Sequence, residues 1–356
     1  MREKALQRLG ITLPIIQAPM AGTATPELAA AVSGAGALGS LGLATSSLEA
    51  AQSAIARTKS LTDAPFNVNF FCHQTASADP ARERVWLTYL APLFKEFGAT
   101  PPTALHDPFS SLRDHPAMVD MLVQERPPIV SFHFGLPSAD AIQRLKGAGI
   151  ILMATATTLG EAQRIEESGL DFIVAQGVEA GGHRGVFDPH DQDIGLSTAV
   201  LVSLLREQVR LPVIAAGGIM TGRGIRAMLK LGASAAQMGT AFILCPESAA
   251  DQAYRNALGS ARALHTRITA TISGRPARGL VNRAHTEIDT PGRPILPDYP
   301  ICYVAIKALQ KAAREHGCHE FASHWAGQGA PLARAMPAAD LVAALAAEFE
   351  AAAAMD

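Results

Sequence analysis

Eight short apolar runs, most of them followed by a helix-like stretch, constrain this chain more than any other feature. The runs lie at residues 13–18, 37–42, 66–71, 129–134, 150–154, 172–176, 213–216 and 236–238. They are mostly apolar and β-branched without a regular polar alternation, so they read as strands buried on both faces. Helix-like segments stand between most of them, at 26–33, 47–57, 138–147, 158–168, 198–208 and 221–230. Several begin at a plausible N-cap or Pro, and several end at Gly34, Gly147, Gly169 or Gly232. Regular βα alternation implies a parallel sheet. Eight units imply an α/β chain folded as a (β/α)8 TIM barrel, for which 356 residues are ample.

Two segments break the rhythm. Residues 73–126 are Pro-rich and polar and read as an insertion after the third strand. Residues 246–330 follow the last strand, carry many Arg, His, Pro and Gly, and read as a lid or subdomain. The expected organisation is a barrel domain at 1–245 and a region at 246–356 whose lid and C-terminal helices close over the active site. Both irregular segments follow strands, so both can reach the face where such barrels build their sites.

Composition narrows the partners. Lys plus Arg number 30 against 32 Asp plus Glu, and aromatics are 5%, so neither a nucleic-acid surface nor a base-stacking platform is expected. No apolar run is long enough to span a bilayer, and the charged N-terminus is not a secretory signal, so a cytoplasmic protein is expected. Cys72, Cys245, Cys302 and Cys318 show no CxxC spacing and read as reduced thiols. The histidines show no metal-ligand spacing, and HExxH, P-loop and GxSxG motifs are absent from the sequence.

Two glycine patterns need separating. Residues 34–39 match G-x-G-x-x-G, but a helix precedes them and a strand follows, the reverse of a dinucleotide fingerprint. The other pattern follows the last two strands: Ala216-Gly217-Gly218-Ile219, then Gln237-Met238-Gly239-Thr240. Glycines there let backbone N–H groups approach an anion closely, in the place where barrels bind phosphate. Tight turns without a ligand are the plain alternative for either stretch alone.

Several stretches together resemble the FMN-dependent nitronate monooxygenases, formerly called 2-nitropropane dioxygenases. They are residues 13–22 (LPIIQAPMAG), 67–71 (NVNFF), 176–185 (QGVEAGGHRG), the two glycine turns, and 325–329 (WAGQG). The Glu-Ala-Gly-Gly-His-Arg-Gly run is the most specific, and with the insertion and the C-terminal motif it resembles the class I branch. The resemblance covers nearly the whole chain. It implies non-covalent FMN and the oxidation of alkyl nitronates by O2. Propionate 3-nitronate is the typical substrate, giving an aldehyde or keto acid with nitrite and nitrate, as a detoxification. An electron would pass from the nitronate to the flavin before oxygen reacts.

On that resemblance Met20 borders the flavin ring, where a flexible thioether suits a flat conjugated surface. Asn69 and Gln176 end strands, and their amides can read ring heteroatoms. Gly181 and Gly182 leave room for a ligand beside His183. A nitronate is already deprotonated, so His183 is expected to orient and stabilise the anion, and to act as base only toward a neutral nitroalkane. Its neighbour Arg184 need not share its direction and can be purely structural. His133 either lines the pocket or is a satisfied core histidine. Tyr299, Tyr303 and Lys307 recur every four residues, so a helix would present two phenols and an ammonium on one face toward a carboxylate. Gln328, between Gly327 and Gly329, is expected beside the cofactor. Two rivals stay open: an NAD(P)H-dependent flavin reductase of quinones or enoyl thioesters, and a colourless barrel for a phosphorylated metabolite. Oligomeric state is left open.

Overall fold

The computed structural model describes residues 2–354; Met1, Met355 and Asp356, at the ends of the two expected regions, lie outside the described residues. The eight parallel strands are β1 (Ile15–Gln17), β2 (Gly39–Gly42), β3 (Phe66–Phe71), β4 (Ile129–His133), β5 (Ile151–Ala156), β6 (Phe172–Gln176), β7 (Val213–Ala216) and β8 (Ala235–Met238). They pair in the order β1-β8-β7-β6-β5-β4-β3-β2. Short backbone bonds close the ring between β1 and the approach to β2: Gln17 N–H donates to Leu38 O at 2.8 Å, and Leu38 N–H to Ile15 O at 3.0 Å. Inside the seam, Gln17 Oε1 accepts from Ser40 N–H at 2.8 Å. The sheet is a nearly closed TIM barrel.

The helices start one residue later than several of the sequence readings, because the expected first residue is the cap. Ser47, Ser138, Thr158 and Thr221 each accept a hydrogen bond from a backbone N–H inside the helix that follows. Thr25 and Ser197 do the same one residue further upstream. Each such cap satisfies an N–H that the first turn leaves without a partner, worth about 1 kcal/mol.

The insertion is more ordered than its composition suggests. It holds two helices, Pro80–Glu96 and Pro116–Glu125. The second buries Met118, Val119, Met121 and Leu122 in the same core as the barrel strands, so it stands in the outer helix ring. The first packs on Ile301–Glu315, with Trp86, Leu90 and Phe94 against Cys302, Ile306 and Leu309. The two segments that interrupt the sequence are therefore partners in space, and they share a core separate from the barrel.

Between them runs the hairpin β9 (Thr266–Thr269) and β10 (Ala277–Leu280). It takes Gly182–His183 as a third, antiparallel strand. The last helix, Ala338–Ala353, does not cover the cavity. Its apolar face, Leu341, Val342, Leu345 and Phe349, joins the barrel core beside helices Pro26–Gly34 and Gly222–Lys230. Among the described residues no helix is long and apolar enough to cross a membrane. All four cysteines are free, and all but Cys318 are buried.

The reversed glycine pattern is structural. The helix Pro26–Gly34 ends there and the chain turns through Gly36 (φ +88°) into β2. A Cβ on Gly39 would stand 2.0 Å from the Ala29 carbonyl oxygen, whereas one on Gly34 would meet nothing within 4 Å. Gly39→Ala should therefore destabilise the protein by about 1–3 kcal/mol or more, as overpacking does. Gly34→Ala should be neutral or slightly stabilising. Thermal or urea unfolding of the two variants checks this, and equal effects would contradict it.

Candidate active site

Every strand sends residues from its C-terminal end into one cavity of about 500 Å³. Met20 follows β1, Gly42 ends β2, Asn69 and Phe71 lie on β3, Ser131 and His133 on β4, and Thr155 on β5. Gln176 ends β6, Gly217 and Gly218 follow β7, and Gln237 to Thr240 span the end of β8. Most of the cover comes from the C-terminal region, through Tyr299, Tyr303, Val304, Lys307, Trp325, Gly327 and Gly329, and the insertion adds Pro108 and Phe109. A cavity of this size and mixed polarity suits a cofactor with a small substrate.

One end of the cavity suits an anion. Gly217 (φ +125°) and Gly218 (φ +71°) are consecutive residues in backbone conformations that a side chain rarely adopts. The turn after β8 opens a short helix, Thr240–Phe242, whose start at Gly239 has no side-chain cap. Backbone N–H groups at two such turns can cradle a phosphate without a Lys or Arg. Thr240 Oγ1 also accepts from Gly327 N–H at 3.0 Å, which ties the cover to this turn. Met20 lies near Gly239, its Sδ 3.6 Å from where a Cβ would be.

The other end is an aromatic wall around His183. Its ring lies 5.3 Å from Trp325, 5.6 Å from Tyr299 and Phe134, and 6.0 Å from Tyr303, centroid to centroid. Nε2 meets Ser273 Oγ at 2.9 Å. His183 opens onto the cavity but is enclosed by protein. Desolvation, with the nearby His133 and Arg275, lowers its pKa from 6.5 to about 3. The imidazole is therefore neutral across the physiological range. Burial also holds Tyr299 and Tyr303 above the ordinary phenol range, so both remain donors. The Tyr299 hydroxyl has no protein partner and is buried.

The backbone of His183 is pinned from below. Gln176 Nε2 donates to His183 O at 2.9 Å, and His133 Nε2 meets the same oxygen at 3.2 Å. Gln176 Oε1 accepts from Gly185 N–H at 2.8 Å and from Arg184 Nη1 at 3.0 Å. The Gln176 amide thus makes three bonds within the loop while its side chain lines the cavity. Arg184 is 1% exposed. It binds the Gly177 carbonyl at 2.8 Å and Asp193 at 2.6 Å, so it is the structural member of the His-Arg pair. His133 is held neutral, with a pKa of about 4, chiefly by desolvation. Asn69 Nδ2 donates to Ser131 Oγ at 2.9 Å.

Some placements differ from the sequence expectation. The helix begins at Ile301, so Tyr299 stands ahead of it, yet Tyr299, Tyr303 and Lys307 still line the cavity together. Lys307 lies at the exposed edge, its Nζ 5.4 Å from the Tyr303 ring centroid. Gln328 does not line the cavity: its side chain is exposed while its N–H donates to Glu179 O at 2.9 Å, and its two glycine neighbours face inward. Gly181 has a packing role, since a Cβ there would meet Gly327 N at 2.5 Å. Sequence reading missed Phe134, Ser273 and Arg275. Phe134 carries a positive φ of 69°, which nothing in a Phe-Gly pair announces.

Comparison with known proteins identifies the family. The family model described as nitronate monooxygenase matches residues 2–348. A nitronate monooxygenase of Pseudomonas aeruginosa is 56% identical over 98% of this chain and 99% of its own. One of Paraburkholderia phytofirmans is 54% identical over 97% of this chain and 94% of its own. The crystal structure of a nitroalkane oxidase from Streptomyces ansochromogenes superposes with a TM-score of 0.90 at 40% identity, covering 98% of this chain and 99% of that one. Eight strand ends opening on one covered cavity, and matches that run nearly end to end, place the chain in the nitronate monooxygenase family of oxidoreductases.

Proposed function

We propose that this cavity binds FMN and that the protein oxidises small alkyl nitronates with O2, propionate 3-nitronate being the typical one. The observation that carries the reading is one cavity that joins two glycine turns suited to a phosphate with a neutral imidazole in an aromatic wall. Gly217, Gly218, Gly239 and Thr240 would hold the phosphate, with Gln237 and Met238 beside it. Met20, Asn69, Gln176 and Gly181 would border the ring system. FMN bound there supplies the redox chemistry that links the nitronate to oxygen.

The chain's own groups do the rest. His183, neutral, orients the nitronate head and stabilises its charge through hydrogen bonding; toward a neutral nitroalkane it is placed to take the α-proton. His133 and Gln176 keep His183 in place through its carbonyl. Tyr299 and Tyr303 offer phenol donors, and Lys307 at the edge meets a substrate carboxylate. The apolar part of the wall excludes water from the reacting carbon. The products would be an aldehyde or keto acid with nitrite and nitrate, which makes detoxification of the nitronate the role. No observation in the site favours the NAD(P)H-dependent flavin reductase.

Four outcomes are expected. Oxygen uptake should follow addition of propionate 3-nitronate and not of NADH; NADH-driven quinone reduction without nitronate turnover would overturn the reading. His183→Asn should lower kcat/KM for the nitronate at least about tenfold, and full activity would remove His183 from the mechanism. His183 begins far below its ordinary value, so lowering the pH through 6.5 should not protonate it in the folded protein. The profile of kcat/KM should then show no inflection between about pH 5 and 8. Lys307→Met should raise KM for propionate 3-nitronate about two- to fivefold, less at high salt, and leave ethyl nitronate unaffected because it has no carboxylate.

A further inference from the structure

A buried cation stands behind the aromatic wall without an anionic partner. Arg275 is 2% exposed. Its Nη1 donates to Val186 O at 2.8 Å, and its Nε has no partner. Among the described residues it forms no ion pair. Asp188 and Glu161 act on it only at longer range. Glu161 already accepts from Thr157 and from Phe187 N–H. Its pKa is lowered to about 10, chiefly by desolvation, so it remains charged at neutral pH. Of the other buried guanidinium groups nearby, Arg184 is neutralised by Asp193, and Arg278, 6% exposed, donates to the Val178 carbonyl and to Thr266. Proteins seldom bury a charge without a partner, because desolvation is expensive.

The position of Arg275 suggests what offsets that cost. Its guanidinium carbon lies 4.5 Å from the Phe134 ring centroid and 5.6 Å from that of Tyr299. Both rings lie 5.6 Å from His183. One aromatic layer therefore separates the charge from the substrate end of the cavity. Ser273 fixes the spacing, since its Oγ meets His183 Nε2 at 2.9 Å and the Arg275 carbonyl at 3.0 Å.

We propose that Arg275 determines specificity for the anionic substrate: its unpaired charge, acting through the Phe134–Tyr299 layer, makes the cavity prefer a nitronate to its neutral nitroalkane. The inference rests on the functional reading above and deepens it. Arg275 touches neither substrate nor reacting atoms, so it acts by field and position. A unit charge about 8–10 Å from an anion, at an effective dielectric of about 20, corresponds to an affinity change of about 15- to 30-fold. Unlike Lys307, which is exposed, Arg275 is shielded from salt.

The test uses the holoenzyme with ethyl nitronate, nitroethane and inorganic nitrate. Arg275→Met should raise KM for ethyl nitronate and the inhibition constant of nitrate together, about 15- to 30-fold. It should leave KM for nitroethane and kcat for the nitronate nearly unchanged. Arg275→Lys should restore most of the anion preference. Equal effects on both substrates, or none on nitrate, would overturn the proposal. If Arg275→Met does not fold, the wild type decides. Its nitrate affinity should fall little between low and about 0.5 M salt, and a steep fall would move the selectivity to Lys307. Wild-type protein that turns over no nitronate would instead defeat the functional reading, a result distinct from either.

Discussion

The loop after β6 carries His183 to the cavity and pairs with the hairpin, and Arg184 holds that loop. Its guanidinium reaches the Gln176 carbonyl, the Gln176 amide, the Gly177 carbonyl and the Asp193 carboxylate. These groups come from both ends of the loop, so one buried cation sets the path of residues 177–193. The adjacent His183 then has little freedom. Its carbonyl is taken by Gln176 and His133, and Gly182–His183 is paired in the hairpin sheet. A planar guanidinium with five donors suits such a junction, and a lysine could satisfy only part of it.

That junction explains the sharing of labour between barrel and cover. The strand ends supply the polar residues and the glycine turns, on rigid elements. The cover supplies Tyr299, Tyr303 and Trp325 of the aromatic wall, beside Phe134 just after β4, and the charges of Lys307 and Arg275. Beside the pairing of Gly182–His183 with the hairpin, Thr240 Oγ1 to Gly327 N–H and Glu179 O to Gln328 N–H tie them together. Desolvation follows, and with it the low pKa values of His133 and His183. A site that keeps its imidazoles neutral suits a substrate that arrives already deprotonated.

Much of this was legible in the sequence, and the parts that were not share a cause. The strands could be read because each is a local apolar run, and the helix starts because capping is local. Asn69, Gln176 and His183 stood out as polar residues at strand ends or in glycine-rich loops. Arg275 did not, because the sequence around it carries several arginines and nothing local separates buried Arg275 and Arg278 from exposed Arg267. Its burial comes from hairpin, wall and loop meeting in space. The helix Pro116–Glu125 was hidden in a Pro-rich stretch for the opposite reason: its leading proline starts a helix rather than ends one. Gln328 was read as part of a glycine-flanked loop whose backbone approaches the cofactor; its side chain is exposed, and it is the neighbouring Gly327 and Gly329 that line the cavity.

The account stands on the claim that nitronate and flavin meet in this cavity. The most direct measurement is the anaerobic absorbance spectrum of the purified protein, mixed in turn with propionate 3-nitronate and with NADH. The account predicts a flavin spectrum that changes with the nitronate and not with NADH. Bleaching by NADH alone, or no flavin spectrum even after FMN is added, would contradict it.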